Sequence, residues 1–167
     1  MPNLYLERVT NSASVPVRKT EHAACYDIQA NLINRNVKFY RHGNNAQTEL
    51  YNGKYKIYPG ERVLIPTGWK MCCDSDYKIE IAPRSGNAIK QGLTLINAIG
   101  IIDADYRDEV MLLMINHGHQ VIEITDGMRL GQLSLERVEE VNMVICIDEL
   151  PKTDSNRMGG LGHTGDK

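Results

Sequence analysis

Short alternating segments, cut by turn residues at close intervals, constrain this chain more than any other feature. The cleanest is Tyr77–Ile81, where Tyr77, Ile79 and Ile81 alternate with Lys78 and Glu80. A period of two puts the apolar residues on one face of a strand and the charged ones on the other. Similar runs rich in Val, Ile, Leu and Tyr occupy Leu4–Val9, Lys56–Tyr58, Val63–Pro66, Trp69–Cys73, Val110–Asn116, Val121–Ile124, Leu130–Val138 and Met143–Ile147. Pro59-Gly60, Thr67-Gly68, His117-Gly118 and Asp126-Gly127 supply turns. Only Asn87–Gln91 reads as a helical turn. Many short strands and almost no helix predict an all-β, jelly-roll-like sandwich or barrel.

At 167 residues the chain is one domain by length, with room for a sizeable core. A net charge of −2 makes a nucleic-acid duplex a poor partner, although a small charged ligand needs only local basic groups. No apolar run approaches a membrane span, and the opening MPNLYLERV lacks a signal-peptide pattern, so an intracellular, cytoplasmic protein is expected. Cys25, Cys72, Cys73 and Cys146 form no C-x-x-C pair, and all but Cys25 lie in apolar strand-like runs. They read as small buried thiols. His117 and His119 bracket a glycine in a turn, without the carboxylate or thiol company a metal site needs; His22 and His42 have no suggestive neighbours.

Two segments stand apart from a β domain over residues 1–150. Asn34–Asn52 is polar, Asn-rich and basic, and reads as an excursion between strands, a solvated loop or small hairpin. Residues 151–167 carry little apolar content and end RMGGLGHTGDK, a Gly-rich arm too flexible to order alone. Either it frays, or it orders over a bound phosphate.

Two segments carry candidate chemistry. In NAIGIIDADYRDE, Asn97–Glu109, Asp103 follows Ile101–Ile102, with Tyr106 three positions on. In an extended strand Asp103 and Asp105 share one face, and such a carboxylate must be solvated, paired or poised for chemistry. Arg84-Ser85-Gly86 follows a strand and Pro83 and opens the helical turn. Arg gives bidentate donors, Ser a hydroxyl and Gly close backbone approach, the parts of a phosphate cradle.

Five segments in order resemble the motifs of the homotrimeric dUTPase family (dUTP nucleotidohydrolases). They are AACYDI at Ala23–Ile28, APRSGNA at Ala82–Ala88, NAIGIIDADYRDE at Asn97–Glu109, GMRLGQL at Gly127–Leu133 and RMGGLGHTG at Arg157–Gly165. The resemblance runs from Ala23 to Gly165, interrupted by Asn34–Asn52, and inserts of that kind occur in some phage- and virus-encoded members. It implies a homotrimer with an exchanged C-terminal arm. The implied reaction is Mg²⁺-assisted hydrolysis of dUTP to dUMP and pyrophosphate, supplying dUMP for dTMP synthesis.

By the same resemblance, Asp103 matches the carboxylate that activates the attacking water. Arg84, Ser85, Gly86 and Gln132 match phosphate-holding groups. Asn97 matches a uracil-reading residue on a hairpin, with Gly100, Ile101 and Met111 lining the base pocket. Tyr106 matches the aromatic packed under the deoxyribose, which leaves no room for a 2′-hydroxyl. Asp27 matches the residue that holds a water on Mg²⁺, an ion bound mainly by the triphosphate. Arg157, His163 and Thr164 would clamp the γ-phosphate from another subunit, and Leu161 stands where the family's tail carries a Phe stacked on uracil. Asp108 and Cys25 stand where glycines are usual. Two alternatives remain open at this point: a dCTP deaminase-type relative, and a regulatory protein that engages a partner through residues 34–52.

Overall fold

The computed structural model describes residues 1–41, 43–147 and 150–151. The strands are β1 (Leu4–Arg8), β2 (Tyr26–Gln29), β3 (Arg35–Tyr40), β4 (Gln47–Tyr51), β5 (Lys54–Ile57), β6 (Arg62–Cys73) and β7 (Tyr77–Pro83). They continue, after the short helix α1 (Ser85–Gln91), with β8 (Leu93–Leu95), β9 (Gly100–Ile102), β10 (Glu109–Asn116), β11 (Ile122–Thr125) and β12 (Arg129–Arg137). One antiparallel sheet runs β4-β3-β6-β10-β8, with β1 added along the far half of β6. A second runs β2-β12-β7-β9, and β5 pairs with β11. The expected all-β, jelly-roll-like sandwich is the architecture found.

Alternation sets which side of each sheet is dry. Ile79 and Ile81 of β7 are buried while Lys78 and Glu80 stay half-exposed. Ile57, Ile65, Leu112 and Met114 join them in one core between the sheets. The helix ends where Gly92 takes φ 71°, its amide donating to the Ala88 carbonyl at 2.9 Å.

Several expectations change. The excursion at Asn34–Asn52 takes the hairpin form and not that of a solvated loop, because it is built into the large sheet: β3 pairs with β6 on one side and β4 on the other. Val37 and Phe39 are fully buried because Asn36 and Lys38 take the polar face. The runs Val63–Pro66 and Trp69–Cys73 are one strand; Thr67-Gly68 makes no turn, and Gly68 at φ +76° absorbs a register shift against β10. A side chain at 68 would meet Ala13 Cβ at 2.6 Å. Met143–Ile147 forms no strand and lies open, with Met143, Ile145 and Ile147 at 92, 90 and 94% exposure. Cys146 is therefore an exposed thiol and Cys25 and Cys72 are half-buried, so of the four expected buried thiols only Cys73 is one. The strands β2 and β8 come from segments that do not read as strands.

Candidate functional site

The residues expected to hold phosphate meet where β2, β12 and β7 run side by side. Their register places Asp27, Gln132 and Ala82 in one row across the sheet. Asp27 is only 5% exposed, so its charge must be matched by partners. Arg129 Nη1 donates to Asp27 Oδ2 at 2.8 Å. Arg84 Nε lies 3.2 Å from Asp27 Oδ1, a charge contact in which the buried N–H is not aimed to form a hydrogen bond. Two guanidinium groups around one carboxylate leave a net positive pocket. Asn87 Nδ2 donates to the Arg129 carbonyl at 3.0 Å and ties α1 to β12. Ser85 and Gly86 are exposed at the start of α1, where the first amides lack intrahelical acceptors.

Sequence reasoning passed over Arg129. It sits in the GMRLGQL segment, but its partner Asp27 is 102 positions away, and only the β2–β12 ladder brings them together. On the same face of β2, Gln29 presents a buried Oε1 with no hydrogen-bond partner among the described residues. Both oxygens of Asp27 face arginines, so a cation fits here only if it arrives with compensating anionic oxygens. An Mg²⁺ ion carried on phosphates meets that condition. Among the described residues no three His, Cys, Asp or Glu side chains are grouped to hold an ion by themselves.

The predicted base-pocket residues also converge. Asn97, Gly100, Ile101 and Met111 line one cleft of about 200 Å³ with Ile81 and Leu95. Its rim is the tight turn joining β8 to β9, in which Ile99 N donates to Asn97 O at 2.6 Å and Ala98 is held at φ 60°. An alanine at positive φ is strained backbone. The Asn97 side-chain amide lies over Gly100, 3.7 Å from where a Cβ would stand. The expected hairpin is not one by pairing: β8 joins the large sheet through β10, while β9 joins the second sheet through β7. The turn thus bridges the mouth between the sheets.

Asp103 is exposed and has no ion-pair partner among the described residues. The chain turns immediately after β9, so Asp103 and Asp105 do not share a strand face. Tyr106 N donates to the Asp103 carbonyl at 3.1 Å, closing that turn. Tyr106 is half-buried and does not line the Asn97 cleft. Burial, then the Asp108 and Glu109 carboxylates, push its phenol above the ordinary range. Arg157, Leu161, His163 and Thr164 lie outside the described residues.

The two halves of the site are far apart within one chain. In the β7–β9 ladder Ile102 faces Ile79, so Asp103 falls beside Lys78, whereas Arg84 follows the opposite end of β7. Six residues of strand span roughly 20 Å. One copy of the chain therefore does not place Asp103 over Arg84.

A family model described as dUTPase matches residues 49–165. A deoxyuridine 5'-triphosphate nucleotidohydrolase of Desulfotalea psychrophila is 40% identical over 163 residues, 97% of this chain and 95% of the relative. A dUTPase of Staphylococcus bacteriophage 80alpha, solved with dUpNHpp, superposes with a TM-score of 0.74 at 17% identity, over 98% of both chains. The dUTPase of phage phi11 of S. aureus, whose structure describes coordination of a structural Mg(II) ion, gives 0.69 at 17% identity over 87% of this chain and 97% of its own.

Proposed function

This chain belongs to the dUTPase family, and on that footing we propose that it cleaves dUTP to dUMP and pyrophosphate at a site shared between copies of itself. The observation that carries the reading is the Asp27–Arg84–Arg129 cluster, a positive pocket beside exposed helix-start amides and roughly 20 Å along the ladder from the exposed carboxylate of Asp103. A nucleoside triphosphate bridges such parts only if Asp103 comes from a neighbouring copy. The open apolar stretch of Val141, Met143, Val144, Ile145 and Ile147, 74–94% exposed, supplies independent reason for a neighbour. Three copies around an axis, as the family resemblance implies, close such a head-to-tail contact.

In this reading uracil enters the Asn97 cleft, where Asn97 reads its polar edge and Ile101 and Met111 pack its faces. Tyr106 lies under the deoxyribose. Arg84, Ser85, Gly86, Gln132 and Arg129 hold the phosphates. Asp103, exposed and unpaired, takes a proton from a water as that water attacks the α-phosphorus in line, and pyrophosphate leaves. Asp27, through a water, and Gln29 Oε1 would face an Mg²⁺ ion on the triphosphate. When bound, the ion neutralises charge developing on the phosphate oxygens. Arg157, His163 and Thr164 clamp the γ-phosphate from a neighbour's tail, with Leu161 against the base. The product dUMP serves dTMP synthesis, in the cytoplasm. A partner reading of residues 34–52 now rests on the open β4 edge alone, since β3 is core.

The test is pyrophosphate release with Mg²⁺ from dUTP, dCTP, dTTP and UTP, for wild type and Asp103→Asn. Release from dUTP alone, abolished in the variant, is expected. Ammonia from dCTP would replace the reading with a deaminase.

A further inference from the structure

Resting on the reading that Tyr106 packs against the deoxyribose, we propose that Arg35 is a positioning residue that sets discrimination against a 2′-hydroxyl. It lies in the segment most unlike the family motifs, yet its side chain reaches the end of the Asp103–Asp108 turn. Arg35 Nη2 pairs with Glu109 Oε2, and both side chains are largely buried at 13 and 17% exposure. The other Glu109 oxygen accepts from Gly68 N at 2.7 Å. Arg35 Nη1 in turn donates to the buried Asn31 Oδ1 at 2.7 Å. The first residue of β10 is thus locked from two sides. The next residue is locked as well, by Thr67 Oγ1 donating to the Val110 carbonyl at 2.7 Å.

Tyr106 hangs from this anchor. Its Oη donates to the Glu109 carbonyl at 3.2 Å. Tyr106 also lines a separate cleft of about 240 Å³ with Leu6, Lys70 and Cys72. That cleft leaves open space beside Tyr106, so steric exclusion of a 2′-hydroxyl draws on the tether as well as on packing against the core. A ring free to lean into that cleft makes room for ribose. The Arg35–Glu109 pair, by holding the carbonyl that Tyr106 grips, keeps it from doing so.

The experiment compares kcat/KM for dUTP and UTP in Arg35→Met, Glu109→Gln, Tyr106→Phe and Tyr106→Ala, with thermal melts of each. Tyr106→Phe keeps the ring and removes only the tether. The expected result is a dUTP/UTP ratio lowered about three- to tenfold in Arg35→Met and Tyr106→Phe, the size of one hydrogen bond, with UTP turnover rising. Simple loss of folded enzyme lowers both substrates together and leaves the ratio unchanged. An unchanged ratio in both variants overturns the proposal, as does a fall in Tyr106→Phe without one in Arg35→Met. If Arg35→Met does not fold, Glu109→Gln decides in its place. An unchanged ratio in Tyr106→Ala instead overturns the sugar-packing reading beneath it.

Discussion

Phe39→Ala separates a structural hairpin from a solvated loop. Phe39 is fully buried, its ring centroid 5.9 Å from that of Tyr55 and its face 4.8 Å from the Arg41 guanidinium carbon. Emptying such a site removes the transfer term and leaves a cavity, which costs about 3–5 kcal/mol. Domains are stable by about 5–15 kcal/mol, so the loss is a large share of the whole. At this length each kcal/mol lowers Tm by about 2–4 °C, giving a fall of roughly 6–20 °C. The assay is urea and thermal unfolding at one fixed protein concentration, since assembly couples to folding. Leu50→Ala on β4 is the control: at 69% exposure it should cost within about 0.5 kcal/mol. A Phe39→Ala protein as stable as its control would refute the placement of β3 in the core.

Three further outcomes follow from the same contacts. Arg129→Met leaves Asp27 with Arg84 alone and should raise KM for dUTP about tenfold while costing about 1–2 kcal/mol of stability, because Arg129 is 38% exposed; an unchanged KM counts against a phosphate role. Burial and the Glu49 hydrogen bond push Tyr51 up to about 12, and burial with Glu61 pushes Tyr55 higher still. Raised phenol values favour the neutral form, so this stability is whole below pH about 10 and is lost as pH climbs through about 12. Both tyrosines should lag the rest in phenolate absorbance, and simultaneous ionisation of all eight would contradict it. Leu161→Phe should lower KM with kcat little changed, since base–aromatic stacking contributes about 1–3 kcal/mol; no change in KM would remove Leu161 from the base site.

The fold was legible wherever alternation and apolar content coincided, as in Tyr77–Ile81. The hairpin's place in the core was hidden because Val37 and Phe39 are the only strongly apolar residues of β3, set among Arg35, Asn36 and Lys38. Met143–Ile147 misled for the opposite reason. Its composition favours a strand, but pattern reports a tendency to pair, and a single chain provides no partner. Of the candidate site, Asn97, Gly100 and Ile101 lie within one short stretch, and the structure gathers them with Met111 around one cleft. The Arg129–Asp27 pair and the distance between Asp103 and Arg84 depend on ladder register between distant strands, which local sequence does not carry.

The central claim, one nucleotide held between the Arg84 of one copy and the Asp103 of another, is tested most directly by mixing two dead enzymes. Asp103→Asn and Arg84→Gln proteins, each inactive alone, are unfolded, combined in equal amounts and refolded together. If the site is shared, about one site in four joins an intact Arg84 to an intact Asp103, and dUTP turnover returns to about a quarter of wild type. A mixture whose subunits have demonstrably exchanged, yet which stays as inactive as its parents, would contradict the account.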